Sequence, residues 1–132
     1  MNLMQRKTIM LIDDSSTNNF LHKSILIEEG YNVIICSEGV SALAKLHTCV
    51  PDLIVLDLLM PGMDGFRFLE KKKHIKEASH VPVIVLTSKL SSESEQLAHK
   101  LGAIEYLTKP VGISVFIDKI RMALVRYSTM NV

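Results

Sequence analysis

Short apolar runs alternate with longer amphipathic segments along most of the chain. Five runs are typical of β-strands: Thr8–Ile12, Asn32–Cys36, Leu53–Leu56, Val83–Leu86 and Ile104–Leu107. Three of these are continuously apolar, which is typical of strands covered on both faces. The segments between and after them have helical patterns and predict helices at about Ser16–Glu29, Val40–His47, Gly65–Lys73, Ser92–Lys100 and Ser114–Tyr127.

Glycine and hydroxyl residues mark the expected helix ends. Gly30 and Gly102 follow the first and fourth helices as C-terminal caps. A hydroxyl within residues 15–17 should cap the start of the first helix, and Ser91 or Ser92 that of the fourth. The strict alternation of strand and helix predicts an α/β fold: a doubly wound, five-stranded parallel sheet with five helices and right-handed crossovers.

Composition limits the class of protein. The chain has 132 residues, of which 48% are hydrophobic and 22% charged, so we expect one folded domain over residues 1–132, with its core at about 7–127 and no effector domain. The net charge is +1, with acids and bases interspersed, which argues against nucleic-acid binding through bulk charge. Cys36 and Cys49 form no CxxC motif and read as reduced thiols. With no membrane-spanning run or signal-peptide pattern, we expect a soluble, cytoplasmic protein.

The polar residues at the strand ends carry the candidate chemistry. They are Asp13 and Asp14 after the first strand, Asp57 after the third, Thr87 after the fourth and Lys109 after the fifth. In a doubly wound sheet the carboxyl ends of the strands line the ligand site, so these side chains should share one rim. Clustered carboxylates repel one another unless a proton or a cation joins them, and a few oxygen ligands suit Mg²⁺. Together they can support phosphoryl transfer to Asp57, with Asp13 and Asp14 on the metal and Lys109 and Thr87 on phosphoryl oxygens.

Each residue alone also has an ordinary structural explanation. Asp14 can cap the following helix, and a threonine after a strand is commonly a turn residue. A lysine before a proline, as Lys109 is, usually points to solvent. The run Lys71–Lys73 reads as a solvated helix end that suits the helix dipole. The combination at the strand ends, rather than any one residue, favours a functional site.

Four motifs in the same order and spacing resemble the receiver domain of bacterial two-component response regulators. These are "MLIDDS", "VLDLLMPGMDG", "VIVLTS" and "GAIEYLTKPVG", and the resemblance covers about Lys7 to Val125. It implies the flavodoxin-like strand order 2-1-3-4-5. It also implies a signalling domain that catalyses only its own phosphoryl transfer and dephosphorylation.

The resemblance assigns roles to individual residues. Asp57 would accept a phosphoryl group from a sensor histidine kinase or a phosphotransfer protein. Asp13, Asp14, Asp57 and the backbone carbonyl of Leu59 would hold Mg²⁺. Lys109 would pair with the phosphoaspartate, and the bond between it and the next proline would be cis, which reverses the chain in a tight turn.

The family also implies a conformational switch. Thr87 would turn toward the phosphoryl group, and Tyr106 would rotate inward beneath the fourth helix. The surface of the fourth helix, fifth strand and fifth helix would then change for a downstream protein or an absent effector domain. Ile104 and Ser114 stand where DNA-binding relatives carry dimerising charges, so we expect a monomer or weak dimer. An apolar Leu59 cannot orient an attacking water through its side chain, which favours a long-lived phosphoryl group.

Other classes of protein fit the residues less well. A flavodoxin-like electron-transfer module would place Asp13 and Asp14 against the flavin phosphate, and the chain has no tryptophan to stack on the flavin. Phosphatases of the haloacid dehalogenase kind need acids at alternate positions, and a GTPase needs a GxxxxGK loop that is absent. A pseudo-receiver that serves only as a protein-binding scaffold would not need the complete set of acids, hydroxyl and lysine.

Overall fold

The computed structural model describes residues 6–130, with side chains through residue 127. The strands are β1 Thr8–Ile12, β2 Asn32–Cys36, β3 Leu53–Leu56, β4 Val83–Thr87 and β5 Glu105–Thr108. The helices are α1 Ser16–Glu28, α2 Gly39–Leu46, α3 Gly65–Lys72, α4 Ser92–Lys100 and α5 Ile113–Met130. All strand pairs are parallel, and the sheet order is β2-β1-β3-β4-β5. The predicted fold class and strand order are confirmed.

Most predicted boundaries agree with the structure to within one residue. β4 extends to Thr87, and β5 begins at Glu105, because these strands pair from Ile84–Glu105 to Thr87–Thr108. The larger difference is α5, which ends at Met130 rather than at residue 127.

The sheet is covered on both faces because its apolar residues alternate in direction. On β1, Met10 and Ile12 face a core shared with α2, α3 and α4, whereas Ile9 and Leu11 face a core shared with α1 and α5. Phe68 on α3 and Phe116 on α5 are completely buried in these two cores. Burial on both faces explains why the central strands are almost purely apolar.

Capping residues fix the helix starts close to the sheet. Ser15 Oγ accepts a hydrogen bond from the backbone N–H of Asn18 at 3.2 Å, and Ser91 Oγ accepts one from Ser94 at 3.2 Å. Of the hydroxyl residues predicted as caps, Ser15 therefore caps α1 and Ser91 caps α4. Asp14 does not cap α1. At the other helix ends, Gly30 and Gly102 have φ angles of +93° and +111°, which suit glycine.

One lysine of the run at residues 71–73 is not solvated, so that expectation is wrong in part. Lys72 is 6% exposed, whereas its two neighbours point to solvent. Its Nζ donates a hydrogen bond to the backbone carbonyl of Ser79 at 3.1 Å. Burial lowers the pKa of Lys72 to about 8. The third helix turns this residue toward the core, which a sequence reading of three consecutive lysines does not reveal.

Two further sequence observations can be compared with the structure. Cys36 and Cys49 are free thiols, and burial raises the pKa of Cys36. Within residues 6–130, no helix combines the length and apolar character needed to cross a membrane.

Candidate functional site

The acids lie side by side at the carboxyl ends of β1 and β3. The backbone N–H of Asp57 donates to the carbonyl of Ile12 at 2.9 Å, and that of Asp13 donates to Cys36 at 3.2 Å. These bonds continue the sheet by one residue and bring the two carboxylates together. Oxygen atoms of Asp13, Asp14 and Asp57 lie within 4.8 Å of one another. The predicted clustering of the three acids is confirmed.

Lys109 crosses the strand ends to reach two of these acids. Its backbone N–H donates to the carbonyl of Thr87 at 2.8 Å, and the Lys109–Pro110 bond is cis, as predicted. The Nζ atom donates to Asp13 Oδ2 at 2.7 Å and to Asp57 Oδ2 at 2.8 Å. Burial acts to lower the pKa of Lys109, but the two carboxylates outweigh burial and raise it. The ammonium therefore stays charged and offsets part of the acid–acid repulsion.

The remaining carboxylate oxygens are oriented by backbone amides. Asp13 Oδ1 accepts from the N–H of Ser15 at 2.9 Å, and Asp57 Oδ1 accepts from the N–H of Leu59 at 3.0 Å. Asp14 is exposed and forms no ion pair or hydrogen bond within the described part of the chain. Oxygen donors of this kind suit Mg²⁺, and the ammonium already shared by two of the acids indicates that the cluster favours a cation. The residues present therefore fit the implied metal.

Thr87 and Tyr106 lie on neighbouring strands beside the acids. Thr87 is completely buried, and its Oγ1 accepts from the N–H of Lys89 at 3.3 Å. Tyr106 is partly buried, and its hydroxyl donates to the carbonyl of Lys89 at 2.7 Å. Burial, with a further contribution from Glu95, raises the pKa of the Tyr106 phenol. The two predicted switch residues are thus joined through one backbone position in the β4–α4 connection.

Two buried polar residues of α1 approach the site without having been singled out from the sequence. Asn19 is 5% exposed, and its Nδ2 donates to the backbone carbonyl of Asp13 at 2.7 Å. The His22 ring packs against Phe116, with ring centroids 5.0 Å apart. Burial, reinforced by the charge of Lys109, lowers the pKa of His22. Their spacing in the sequence could have indicated their burial, because both residues lie on the same face of α1 as Leu26.

Gly65 is another residue whose importance the sequence did not indicate. A Cβ atom at this position would lie 2.7 Å from the carbonyl oxygen of Asp57 and 2.7 Å from Cα of Leu58. The backbone N–H of Gly65 donates to the carbonyl of Leu58 at 3.0 Å, which brings α3 against the end of β3. Glycine is therefore needed here for close backbone approach rather than for an unusual φ angle.

A doubly wound parallel sheet whose strand ends carry three acids, two of them bridged by a lysine, is the architecture of a receiver-type signalling domain. The sequence-family model of the response regulator receiver domain matches residues 9–121. This chain belongs to the response regulator receiver domain family.

Individual relatives agree with this membership. The chain is 30% identical over 116 residues to protein PilH of Pseudomonas aeruginosa, covering 88% of this chain and 96% of PilH. It is 36% identical over 117 residues to a protein of Vibrio cholerae named as a probable cyclic di-GMP phosphodiesterase, covering 89% of this chain. The chain spans only 26% of the length of that relative.

A solved structure provides the corresponding comparison of folds. It is a CheY-like response regulator receiver domain from Methanospirillum hungatei, with 29% sequence identity and a TM-score of 0.89. The match covers 96% of this chain and 99% of the other. The fold is therefore shared over nearly the whole of both chains.

Proposed function

We propose that this domain is phosphorylated on Asp57 in an Mg²⁺-dependent reaction, with a sensor histidine kinase or a phosphotransfer protein as donor. The observation that supports this most directly is the position of Lys109 Nζ, 2.7 Å from Asp13 and 2.8 Å from Asp57. The Lys109 ammonium therefore bridges Asp57, the proposed acceptor, and Asp13, a proposed metal ligand. Family membership makes this chemistry the expected one.

The protein's own groups prepare Asp57 for the reaction. A carboxylate oxygen of Asp57 forms a bond to phosphorus as the donor's P–N bond breaks; the electron pair of that bond stays on the leaving imidazole nitrogen, which takes a proton from solvent. Asp13, Asp14, Asp57 and the Leu59 carbonyl would hold Mg²⁺, which would supply positive charge near the phosphoryl oxygens. The N–H of Leu59 fixes the orientation of Asp57, and Lys109 remains within reach of the new charge.

The readout would pass through Thr87 and Tyr106. A phosphoryl group on Asp57 offers acceptor oxygens to the Thr87 hydroxyl, which then no longer accepts from Lys89. Tyr106 shares that backbone position and would change rotamer in response. The altered surface of α4, β5 and α5 would bind a downstream protein or an effector domain, with the chain a monomer or weak dimer. The free thiols Cys36 and Cys49 fit the cytoplasm, where we place this reaction.

Labelling by a small phosphodonor tests the acceptor. Incubation with Mg²⁺ and acetyl phosphate should add one acid-labile phosphoryl group, detected by intact-mass spectrometry. Asp57→Asn should abolish the addition, whereas Asp64→Asn should not, because Asp64 is an exposed cap of α3 and asparagine also caps well.

Two outcomes would contradict the proposal. Undiminished labelling of the Asp57→Asn variant would move the chemistry to another residue. A folded wild-type protein that takes up no phosphoryl group from acetyl phosphate or from a phosphohistidine donor would be a scaffold rather than a phosphoacceptor.

A further inference from the structure

We propose that Asn19 is a positioning residue for the metal-binding acids, acting on the peptide bond that joins Asp13 to Asp14. The inference rests on the proposed function and adds a residue to it. Asn19 closes the first turn of α1, and it reaches the acid pair through a backbone carbonyl rather than through a carboxylate.

The contact is direct and its orientation is determined. Asn19 Nδ2 donates to the carbonyl oxygen of Asp13 at 2.7 Å in a buried environment. Exchange of the amide nitrogen and oxygen would place two acceptor oxygens at that distance, so the amino group must face Asp13. The helix also holds Asn19 itself, because its backbone N–H donates to the carbonyl of Ser15 at 3.0 Å.

The acid pair needs such a restraint because its two members are held differently. The Asp13 carboxylate is fixed by Lys109 on one oxygen and by the N–H of Ser15 on the other. Asp14 has no hydrogen bond or ion pair within the described residues, so its carboxylate is placed by the backbone alone. The direction of the Asp14 side chain therefore depends on the plane of the Asp13–Asp14 peptide, which Asn19 fixes.

The side-chain oxygen of Asn19 indicates that this residue does more than stabilise the fold. Among the described side chains, Asn19 Oδ1 is a buried polar atom without a hydrogen-bond partner. A buried acceptor without a protein partner lowers the stability of the folded state unless a water pairs with it. An apolar side chain such as leucine would avoid that penalty, so the benefit of the amide lies in the bond made by Nδ2.

Asn19 and the acids also enclose a common space. Asp13, Asn19, His22 and Asp57 line a cavity of about 10 Å³, which holds at most one water. If the Asp13–Asp14 peptide were displaced, the surrounding side chains would have too little room to move and restore the positions of the acids. Groups that orient metal ligands typically change metal affinity 10–100-fold when they are removed.

Mg²⁺ titration by calorimetry tests the inference on folded protein. Asn19→Leu should raise the Kd for Mg²⁺ by about tenfold. Asn19→Ala should do the same without any risk of overpacking. The control is Leu26→Ala, which removes a completely buried side chain of α1 two turns from the site and should lower the melting temperature while leaving the Kd for Mg²⁺ unchanged.

Labelling kinetics give an independent readout. For the Asn19 variants, the Mg²⁺ concentration that gives half the maximal labelling rate should rise about tenfold, with the maximal rate within about twofold of wild type. An unchanged Kd for Mg²⁺ in both folded variants would overturn the role of Asn19, even if wild type is labelled on Asp57. A wild type that binds Mg²⁺ but is not labelled would overturn the proposed function alone, and the Kd values would still decide the role of Asn19. A wild type that binds no Mg²⁺ would overturn both.

Discussion

The phenol of Tyr106 donates a hydrogen bond to the backbone carbonyl of Lys89 at 2.7 Å. The N–H of the same Lys89 donates to the hydroxyl of Thr87 at 3.3 Å. Lys89, in the β4–α4 connection, is therefore bonded to β4 through its N–H and to the edge strand β5 through its carbonyl. If a phosphoryl group draws the Thr87 hydroxyl away, we expect the bond from Lys89 to be released and the backbone position that Tyr106 contacts to change.

Thr87→Ala should separate the chemistry from its readout. We expect the variant to accept a phosphoryl group on Asp57, because the acids and Lys109 are unchanged. With a beryllium fluoride analogue of the phosphoryl group, the wild-type NMR amide signals of Lys89 and Tyr106 should shift. In Thr87→Ala these two signals should move much less, whereas that of Leu59 should still shift. The result would show that the hydroxyl carries the signal from β4 to β5.

Ser88→Ala is the matched control, because Ser88 is the adjacent hydroxyl and is exposed. Its NMR response to the analogue should equal that of wild type. Full shifts at Lys89 and Tyr106 in the Thr87→Ala variant would contradict a relay through Thr87.

Lys109→Met should destabilise the protein most in metal-free buffer. Removal of one partner of a buried ion pair costs about 3–5 kcal/mol, because the remaining charges stay buried without compensation. Here Asp13 and Asp57 would be left together, so Mg²⁺ should recover more stability in the variant than in wild type. Urea unfolding with a chelator and with saturating Mg²⁺ measures both effects.

Lys119→Met provides the comparison for this lysine. Lys119 pairs with Glu105 at 3.4 Å, and both side chains are about one-third exposed, so its loss should change the free energy of unfolding by about 0–1 kcal/mol. Equal losses of stability in the two variants, or no added effect of Mg²⁺ in Lys109→Met, would contradict the central position of Lys109.

The sequence predicted the order and type of every element because its patterns are local. Apolar runs such as Leu53–Leu56 and a capping residue such as Ser15 depend on neighbours within one turn or one strand. Chain connectivity then determined that Asp13, Asp57 and Lys109 would meet, since parallel strands end at one edge. The clustering of the site residues could therefore be predicted, although their roles in phosphorylation remain proposals.

The features that the sequence did not predict depend on contacts between distant segments. Helical spacing places Asn19 on the same face of α1 as Leu26, but its bond to Asp13 forms only when α1 packs against the sheet. Lys72 is predicted as one of three solvated lysines until the rotation of α3 is known. Gly65 reads as a helix start, and its contact with Asp57 requires the distance between β3 and α3. Such properties need packing geometry rather than periodicity.

Gly65→Ala should perturb the acceptor strand. The new Cβ would approach the Asp57 carbonyl to 2.7 Å, so either β3 or α3 must shift. Overpacking of this kind typically costs about 1–3 kcal/mol. The same shift should slow labelling of Asp57. Thermal unfolding and the labelling rate at saturating Mg²⁺ measure the two effects.

Gly112→Ala is the control, because a Cβ at Gly112 would meet no atom within 4 Å. This variant should label at the wild-type rate, and because Gly112 is the N-cap of α5, where alanine is less favourable than glycine, its loss of stability should stay below about 1 kcal/mol. A Gly65→Ala variant that also behaves as wild type would mean that the backbone approach at Asp57 is looser than the structure indicates.

The buried Lys72 should make stability depend on pH in the alkaline range. Burial lowers its pKa to about 8, whereas the unfolded chain keeps the usual value of 10.5. Between these two values the unfolded state binds a proton that the folded state does not, so this residue makes the free energy of unfolding rise with pH. Lys72→Met removes the titration. The stability of wild type relative to the variant should therefore increase from pH 8 to pH 10.5, by at most about 3 kcal/mol.

Comparison with a neighbouring lysine isolates the effect from other alkaline titrations. Tyr31, Tyr106 and Lys109 also titrate with shifted pKa values, but they are present in both proteins and cancel in the difference. Lys71→Met changes an exposed side chain and should give a difference from wild type that is flat with pH. Urea unfolding at a series of pH values measures these curves. A flat difference for Lys72→Met as well would mean that the ammonium of Lys72 reaches solvent in the folded protein, and its burial against the carbonyl of Ser79 would then be wrong.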